Sequence, residues 1–202
     1  MRITFAMALV VAAASIGCED FFDNVPVSSP TVVPAVPGTD SDPRALTAYD
    51  DILAGYGTWQ DDDTYGTVWT PSDPSFVPFA THGRFANVGG TMVWLSALPW
   101  GAATLHHGRW VNHDDRWHWV PGIRYASAWV TFTHEGGTTS WAPTPPTLVW
   151  HNGYAVRIDP PESPIVGTSD DASLSATPSI SQANDVEESE FARRWLEPHS
   201  AW

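Results

Sequence analysis

Tryptophan and arginine are the residues of this 202-residue chain whose chemistry points to ligand binding, with twelve tryptophans, nine arginines and no lysine. An indole can stack on the apolar face of a sugar ring, and a guanidinium can donate planar hydrogen bonds to sugar hydroxyls. Trp100, in the turn-like Leu98–Gly101 segment, and Trp129 are candidate ligand-stacking residues. Arg84 and Arg109, each between a glycine and an aromatic residue, are candidate hydrogen-bonding partners.

Three other tryptophans are better explained as core residues. Trp69, Trp94 and Trp119 recur in register at the centres of predicted strands, and burying one indole removes about 150–250 Å² from water. The chain has a single cysteine, so no intrachain disulfide can form and packing alone must hold the domain together. We therefore predict that these three side chains are buried.

A local cluster of histidines and aspartates is the candidate for a metal site, but its spacing argues against one. His107 corresponds to His82 of the preceding repeat, and neither has a second ligand at the i, i+2 or i, i+4 spacing that a metal site on a strand or helix favours. His118 alternates with Trp117 and Trp119, so we expect it on the opposite face of its strand. We predict hydrogen-bonded turn histidines and no metal site. The cluster comprises His106, His107, His113, His118, Asp114 and Asp115.

The N-terminus has the pattern of an export signal. Arg2 supplies a positive charge, and the apolar run Phe5–Ala14 is too short for a membrane-spanning helix, which needs about 20 residues. The next four residues, Ser-Ile-Gly-Cys at 15–18, resemble a bacterial lipobox, although its first two positions usually hold Leu and a small residue. The resemblance implies that 1–17 is a cleaved lipoprotein signal peptide and that Cys18 is lipidated. The alternative is a plain secretory signal with a chance cysteine.

The expected location is the bacterial cell envelope, with the protein held in a membrane by the acyl chains on Cys18. Glu19 follows that cysteine, whereas Asp at this position commonly signals retention in the inner membrane. We therefore expect the outer membrane. The sequence does not distinguish its periplasmic face from its surface face.

Charge and composition exclude several function classes. The net charge is −14, but between residues 56 and 158 seven acids stand against five arginines, which leaves −2. Phosphate binding needs clustered Lys and Arg, so we expect no nucleic-acid partner. The chain has no Gly-x-Ser-x-Gly elbow, and its central acids are turn residues rather than two carboxylates flanking a cleft. We predict no enzymatic activity and no cofactor beyond the covalent lipid.

Composition divides the chain after the signal peptide into three parts. Residues 18–41 are rich in Pro, Ser and Thr and are predicted to be a disordered tether. Residues 42–158 contain the tryptophan repeats and form the predicted domain. Residues 159–202 are predicted to be an acidic, low-complexity tail, with a possible short helix at 187–196.

The predicted domain begins with a helix, since Asp42 suits an N-cap and Pro43 a first turn, and the helix should end near Leu53. Three repeat units follow with a period of 25–26 residues, each an aromatic residue, a polar turn and a second aromatic residue. This order predicts a β-hairpin, and because one hairpin alone is marginal in water the units must pack together. We predict a mainly all-β fold: a small repeat domain of stacked antiparallel β-hairpins with one short N-terminal helix. The first, second and third units are 56–71, 82–96 and 107–121, and two further hairpins are predicted at 129–143 and 148–158.

The aromatic motifs resemble a Trp-rich tandem-repeat domain of uncharacterised bacterial envelope proteins and lipoproteins. The resemblance covers about residues 45–146, and it implies a fold and a cellular address but no activity. The second unit departs from the family pattern because Phe85 replaces Trp. Later in the chain, Ser140 stands where Gly is usual. The motifs are YGxW at 56–59, VWxP at 68–71, PWG at 99–101, GRW at 108–110, WxWVPG at 117–122 and WAP at 141–143.

Two functions follow as alternatives. One is a non-catalytic module that binds an envelope glycan, such as peptidoglycan or a surface polysaccharide, through aromatic side chains. The other is a structural or assembly lipoprotein whose repeat face docks another envelope protein. An exposed aromatic row favours the first, and a flat apolar patch of several hundred Å² favours the second.

Overall fold

The computed structural model describes residues 39–88 and 90–175, and these residues form a mainly β fold of eleven strands with three short helices. The helices are α1 (Arg44–Leu53), α2 (Gly101–His106) and α3 (Asp171–Ser175). The strands are β1 (Gly57–Asp62), β2 (Gly66–Pro71), β3 (Gly83–Val88), β4 (Thr91–Ser96), β5 (Arg109–His113), β6 (Arg116–Val120), β7 (Val130–Glu135), β8 (Thr138–Pro143), β9 (Leu148–His151), β10 (Tyr154–Arg157) and β11 (Gly167–Asp170).

All five predicted hairpins form. They are the antiparallel pairs β1–β2, β3–β4, β5–β6, β7–β8 and β9–β10. The last turn is Asn152-Gly153, where both residues have positive φ, 50° and 85°, as a type I′ turn requires. This turn therefore forms where the Asn-Gly pair predicts it.

The hairpins assemble into four small antiparallel sheets rather than a barrel. The first and third repeat units lie side by side in the sheet β1-β2-β6-β5, joined where Trp69 pairs with Trp119. The second unit forms its own two-stranded sheet, β3-β4. The remaining sheets are β11-β8-β7 and β10-β9.

Helix α1 begins and ends as predicted. The Asp42 carboxylate accepts the backbone N–H of Arg44 at 2.9 Å, which caps the helix start. Ala45, Tyr49 and Leu53 are buried at four-residue spacing, so one face of the helix packs on the domain. None of the described helices is long and apolar enough to cross a membrane.

The folded domain is longer at both ends than the predicted 42–158. Thr39, Asp40 and Ser41, predicted as the end of the tether, are buried, and Ser41 Oγ accepts the Trp150 N–H at 2.6 Å. The Asp40 N–H donates to Leu148 O at 2.7 Å. At the other end β11, predicted as tail, pairs with the open edge of β8.

Several predictions fall outside the described residues. They are the signal peptide 1–17, the lipidated Cys18, the tether up to residue 38 and the helix at 187–196.

The core is built from cross-strand aromatic pairs. Trp69, Trp94 and Trp119 are 0%, 2% and 0% exposed, so the prediction that they are buried is confirmed. In each repeat unit the second aromatic residue pairs with the first across the hairpin. The pairs are Trp59–Trp69, Phe85–Trp94 and Trp110–Trp119.

A glycine makes room for the buried indole in every repeat unit. A Cβ at Gly57 would lie 2.5 Å from Trp69 Cε2, and a Cβ at Gly83 would lie 2.7 Å from Trp94 Cε2. The third unit uses Gly108 against Trp119 in the same way. Each repeat therefore needs a glycine at this position, because any side chain would overlap the indole ring.

Candidate functional site

Trp100 does not offer a stacking face, so its prediction as a ligand-stacking residue is wrong. It is 4% exposed and immediately precedes α2. Its ring centroid lies 5.0 Å from those of Trp69 and Phe76, in edge-on contacts. The Pro-Trp-Gly segment resembles an exposed turn in sequence, but it opens a short helix that packs into the aromatic core.

Arg109 is buried and already paired, which also corrects its prediction as a ligand contact. It is 4% exposed, and its Nη2 donates to Asp40 Oδ1 at 2.8 Å. Its guanidinium carbon lies 3.3 Å from the centroid of the Trp129 ring. Burial lowers the pKa of Arg109 to about 10, while the Asp40 charge opposes that shift. Arg109 is therefore a structural cation that fixes the segment before α1.

Trp129 is half-buried and engaged on one face by that guanidinium. Its indole Nε1 donates to His106 O at 3.1 Å. The Arg124 guanidinium carbon lies 5.7 Å from the ring centroid. Trp129 is therefore part of an arginine–tryptophan stack instead of the bare aromatic surface that the sequence predicted.

Arg84 is the predicted site residue that the structure brings to an open groove. The side chain is exposed and lines a groove of about 720 Å³ together with Phe85, Trp94 and Trp141. The opposite wall comes from β11 and α3. We call this cleft the Arg84 groove; its walls include Arg84, Phe85, Trp94, Trp141, Ser169 and Leu174.

Two glycines make the Arg84 groove possible. Gly83 and Gly167 both line it, and a Cβ at either position would overlap an indole, that of Trp94 or of Trp141. Trp141 is half-buried, and its Nε1 donates to Phe79 O at 2.8 Å, so its ring orientation is fixed. Sequence analysis placed Trp141 only within a hairpin, and its WAP motif was the one available signal of a special role.

The indole of Trp94 carries an unsatisfied donor. Its Nε1 is buried without a hydrogen-bond partner, whereas the matching Trp119 Nε1 donates to His107 O at 2.8 Å. The corresponding carbonyl of the second unit, His82 O, accepts Ala97 N–H instead, and His82 has φ +57°. An unsatisfied buried donor costs about 1–3 kcal/mol, so the Trp94 indole is less favourably placed than the Trp119 indole.

Hydroxyl groups supply the polar lining of the β11–α3 wall. Ser173 donates its N–H and its hydroxyl to the Asp170 carboxylate, both at 2.7 Å. These bonds lower the pKa of Asp170. The ordered Ser173 and the neighbouring Thr168 and Ser169 give the groove hydrogen-bonding groups beside its aromatic wall.

The rings of His106, His107 and His118 have hydrogen-bond partners, but the prediction of turn histidines is wrong for His106, His113 and His118, which lie in α2, β5 and β6. Its Nδ1 lies 2.7 Å from Thr70 Oγ1, and burial lowers its pKa. His106 Nδ1 lies 3.0 Å from Ala126 O, and burial lowers its pKa as well. Among the described residues, no group of three or more His, Cys, Asp or Glu side chains is arranged to hold a metal ion.

The fold and this cleft define a small all-β domain of tryptophan hairpins with an aromatic groove. Residues 50–148 match the model of a family of unknown function, DUF6600, so the matched part is just under half of the chain. It spans the three repeat units, the β7–β8 hairpin and only the last four residues of α1. No curated protein and no solved structure matches the chain.

Proposed function

We propose that this protein is a membrane-anchored lipoprotein of the bacterial envelope that binds an envelope glycan in the Arg84 groove without catalysing a reaction. The observation that carries the proposal is the composition of the groove: a half-buried tryptophan, an arginine and three hydroxyl side chains around one open cleft. Neutral sugar rings are bound by aromatic stacking together with a few planar hydrogen-bonding groups.

The size and lining of the cleft support this ligand class. Small-molecule sites are clefts of roughly 300–1,000 Å³ with mainly apolar walls and a few fixed polar groups. The Arg84 groove has about 720 Å³, with Trp141 and Phe85 on one wall and Ser169 on the other. A segment of one or two sugars is the ligand size that such a cleft encloses.

The anchor completes the proposal. A lipid on Cys18 would hold the protein in the outer membrane, and a flexible tether before residue 39 would let the domain sample polymer within tens of ångströms of the lipid surface. Peptidoglycan and surface polysaccharide are its two candidate ligands.

The test is retention of the full-length protein, purified in detergent, on isolated peptidoglycan and on surface polysaccharide. Ser169→Tyr fills the groove from the exposed end of β11 and should abolish retention. Thr133→Tyr, at an exposed position of β7 outside the groove, is the matched control and should bind as the parent does. Retention that survives Ser169→Tyr would remove the groove from the proposal, and no retention on either polymer would end the glycan proposal.

A second candidate function is the docking of another envelope protein, and the edge strand β10 favours it. All four of its residues are exposed, and Tyr154 and Val156, 73% and 40% exposed, lie on the same face. A photo-crosslinker at Tyr154 should then capture one defined partner, while a crosslinker at Ala155, on the opposite face, should not. Equal labelling from both positions would contradict docking through this strand.

A further inference from the structure

We propose that the glycan site continues beyond the Arg84 groove into a second cavity, so that its ligand is an oligosaccharide longer than the one or two sugars that the groove encloses. The inference rests on the proposed function of the groove and adds a second subsite to it. The second cavity has about 430 Å³ and is lined by residues of β3, β4, β7, β8 and α3. We call it the Phe132 cavity; its walls include Asn87, Met92, Phe132, His134, Thr139 and Leu174.

The groove and the Phe132 cavity share an aromatic floor. Phe85 lines the groove, and its ring centroid lies 5.3 Å from that of Phe132. The ring centroid of Trp141 lies 5.2 Å from that of Phe85 and 6.4 Å from that of Phe132. The half-buried Leu174 lines both cavities and so forms their common boundary. A sugar chain that stacks on Trp141 and crosses this boundary therefore meets Phe132 next.

A chain of hydrogen bonds fixes which nitrogen of the His134 ring carries the proton. Thr139 is buried, and its hydroxyl donates to the Asp171 carboxylate. Because a hydroxyl has a single proton, His134 Nδ1 must be the donor in its 2.6 Å contact with Thr139 Oγ1. The neutral ring then has Nε2 as a hydrogen-bond acceptor, and the His134 side chain is 68% exposed. A sugar hydroxyl can donate to this nitrogen.

Asn87 supplies the complementary donor. Its Oδ1 accepts the Gly90 N–H at 2.8 Å, which orients the amide and leaves the Nδ2 hydrogens for a ligand. A sugar hydroxyl both donates and accepts, so an acceptor and a donor beside the apolar Met92 and Phe132 match the needs of a further sugar. The Phe132 cavity thus repeats the chemistry of the groove, an aromatic wall with a few hydrogen-bonding groups.

Titration with glycan fragments of two lengths tests the extension. The probes are fragments of two and of six sugars, prepared from amidase-treated peptidoglycan by partial muramidase digestion and from surface polysaccharide by partial acid hydrolysis. Each is titrated calorimetrically into the full-length protein in detergent. The short fragment fills only the groove, whereas the long one reaches both cavities. For the polymer that retains the protein, the long fragment should bind at least about tenfold more tightly, the scale of one further aromatic contact with its hydrogen bonds.

Variants assign the gain to the Phe132 cavity. His134→Ala and Asn87→Asp each remove one hydrogen-bonding group, and Asn87→Asp keeps the acceptor for the Gly90 N–H. Each should weaken binding of the long fragment by about threefold or more and leave the Kd of the short fragment unchanged. Thr133→Ala, next to His134 but on the opposite face of β7, is the matched control and should change neither Kd.

The variants also exclude a purely statistical gain. A long fragment contains several overlapping disaccharides, and that advantage would persist in His134→Ala and Asn87→Asp.

The outcomes separate this inference from the proposed function. Equal Kd values for both lengths, or a gain with length that both variants retain in full, would overturn the extension; glycan binding in the groove would stand if Ser169→Tyr abolishes it. Binding of neither fragment, together with no retention on either envelope polymer, would overturn both.

Discussion

The carboxylate of Asp40 should contribute more to stability than any other acidic side chain that the structure describes. It accepts hydrogen bonds from Arg109 Nη2 and Thr147 N–H, both at 2.8 Å, and from Leu148 N–H at 3.1 Å. Asp40→Asn keeps the side-chain shape, but it removes the charge and turns one acceptor into a donor facing these N–H groups. Arg109 would then be a buried guanidinium without a counter-ion.

The expected cost follows from that burial. Removing one partner of a buried ion pair costs about 3–5 kcal/mol, because the other charge stays desolvated and unpaired. Domains of this size have a total stability of about 5–15 kcal/mol, so the variant should be close to unfolding at 37 °C. The free energy of unfolding is measured from urea titrations of the full-length protein followed by tryptophan fluorescence.

Asp42→Asn is the matched control, two residues along the same segment. Asp42 pairs with Arg44, whose side chain is 54% exposed, and asparagine caps a helix about as well as aspartate. This variant should therefore lose no more than about 1 kcal/mol. A double-mutant cycle with Arg109→Met should recover much of the Asp40→Asn loss, since it removes the unpaired charge. Loss of less than 1 kcal/mol in Asp40→Asn, equal to the control, would refute the reasoning.

Four further predictions use the same assay or simple fractionation. Trp119→Ala should lower the free energy of unfolding by about 3–5 kcal/mol, and a variant that melts as the parent does would contradict its place in the core. Gly57→Ala should cost about 1–3 kcal/mol, because the new methyl overlaps the Trp69 ring; an unchanged urea midpoint would show that the ring can shift. Burial lowers the pKa of His106 and His118, so below about pH 6.5 the unfolded chain binds more protons than the folded one and stability should fall as the pH drops from 7 to 5. The decline should be shallower in His118→Gln, and identical slopes would contradict that assignment. Cys18→Ser should release much of the protein from the membrane fraction, and unchanged partition would argue against a lipid anchor.

The hairpins and α1 could be predicted from sequence because their signals are local. An Asn-Gly pair, alternating aromatic residues and an Asp-Pro start each act within a few positions of the chain. They predicted where each of the five hairpins lies along the chain. Local signals do not determine which hairpins share a sheet. For example, Trp69 pairs with Trp119, which is 50 residues further along the chain.

The missed features depend on distant partners. The segment around Asp40 has the composition of a tether. The role of Asp40 depends on contacts such as its hydrogen bond with the Thr147 N–H, which is 107 residues away. Strand β11 reads Gly-Thr-Ser-Asp without hydrophobic alternation, and it forms because β8 has an open edge and Gly167 accommodates the Trp141 ring. Trp100 was misplaced for the same reason, since its environment is set by Phe76 and other residues outside its own turn.

The second and third repeat units show that one Gly-Arg-aromatic step can have two different local environments. In the third unit Trp119 Nε1 donates to His107 O and Arg109 Nη2 donates to Asp40, although Arg109 Nε is buried without a hydrogen-bond partner. In the second unit the equivalent indole donor has no acceptor, and the space beside the glycine is an open groove. The same Gly-Arg-aromatic step therefore packs differently in the two units, because the Asp40 segment lies beside the glycine of the third unit and a groove lies beside that of the second.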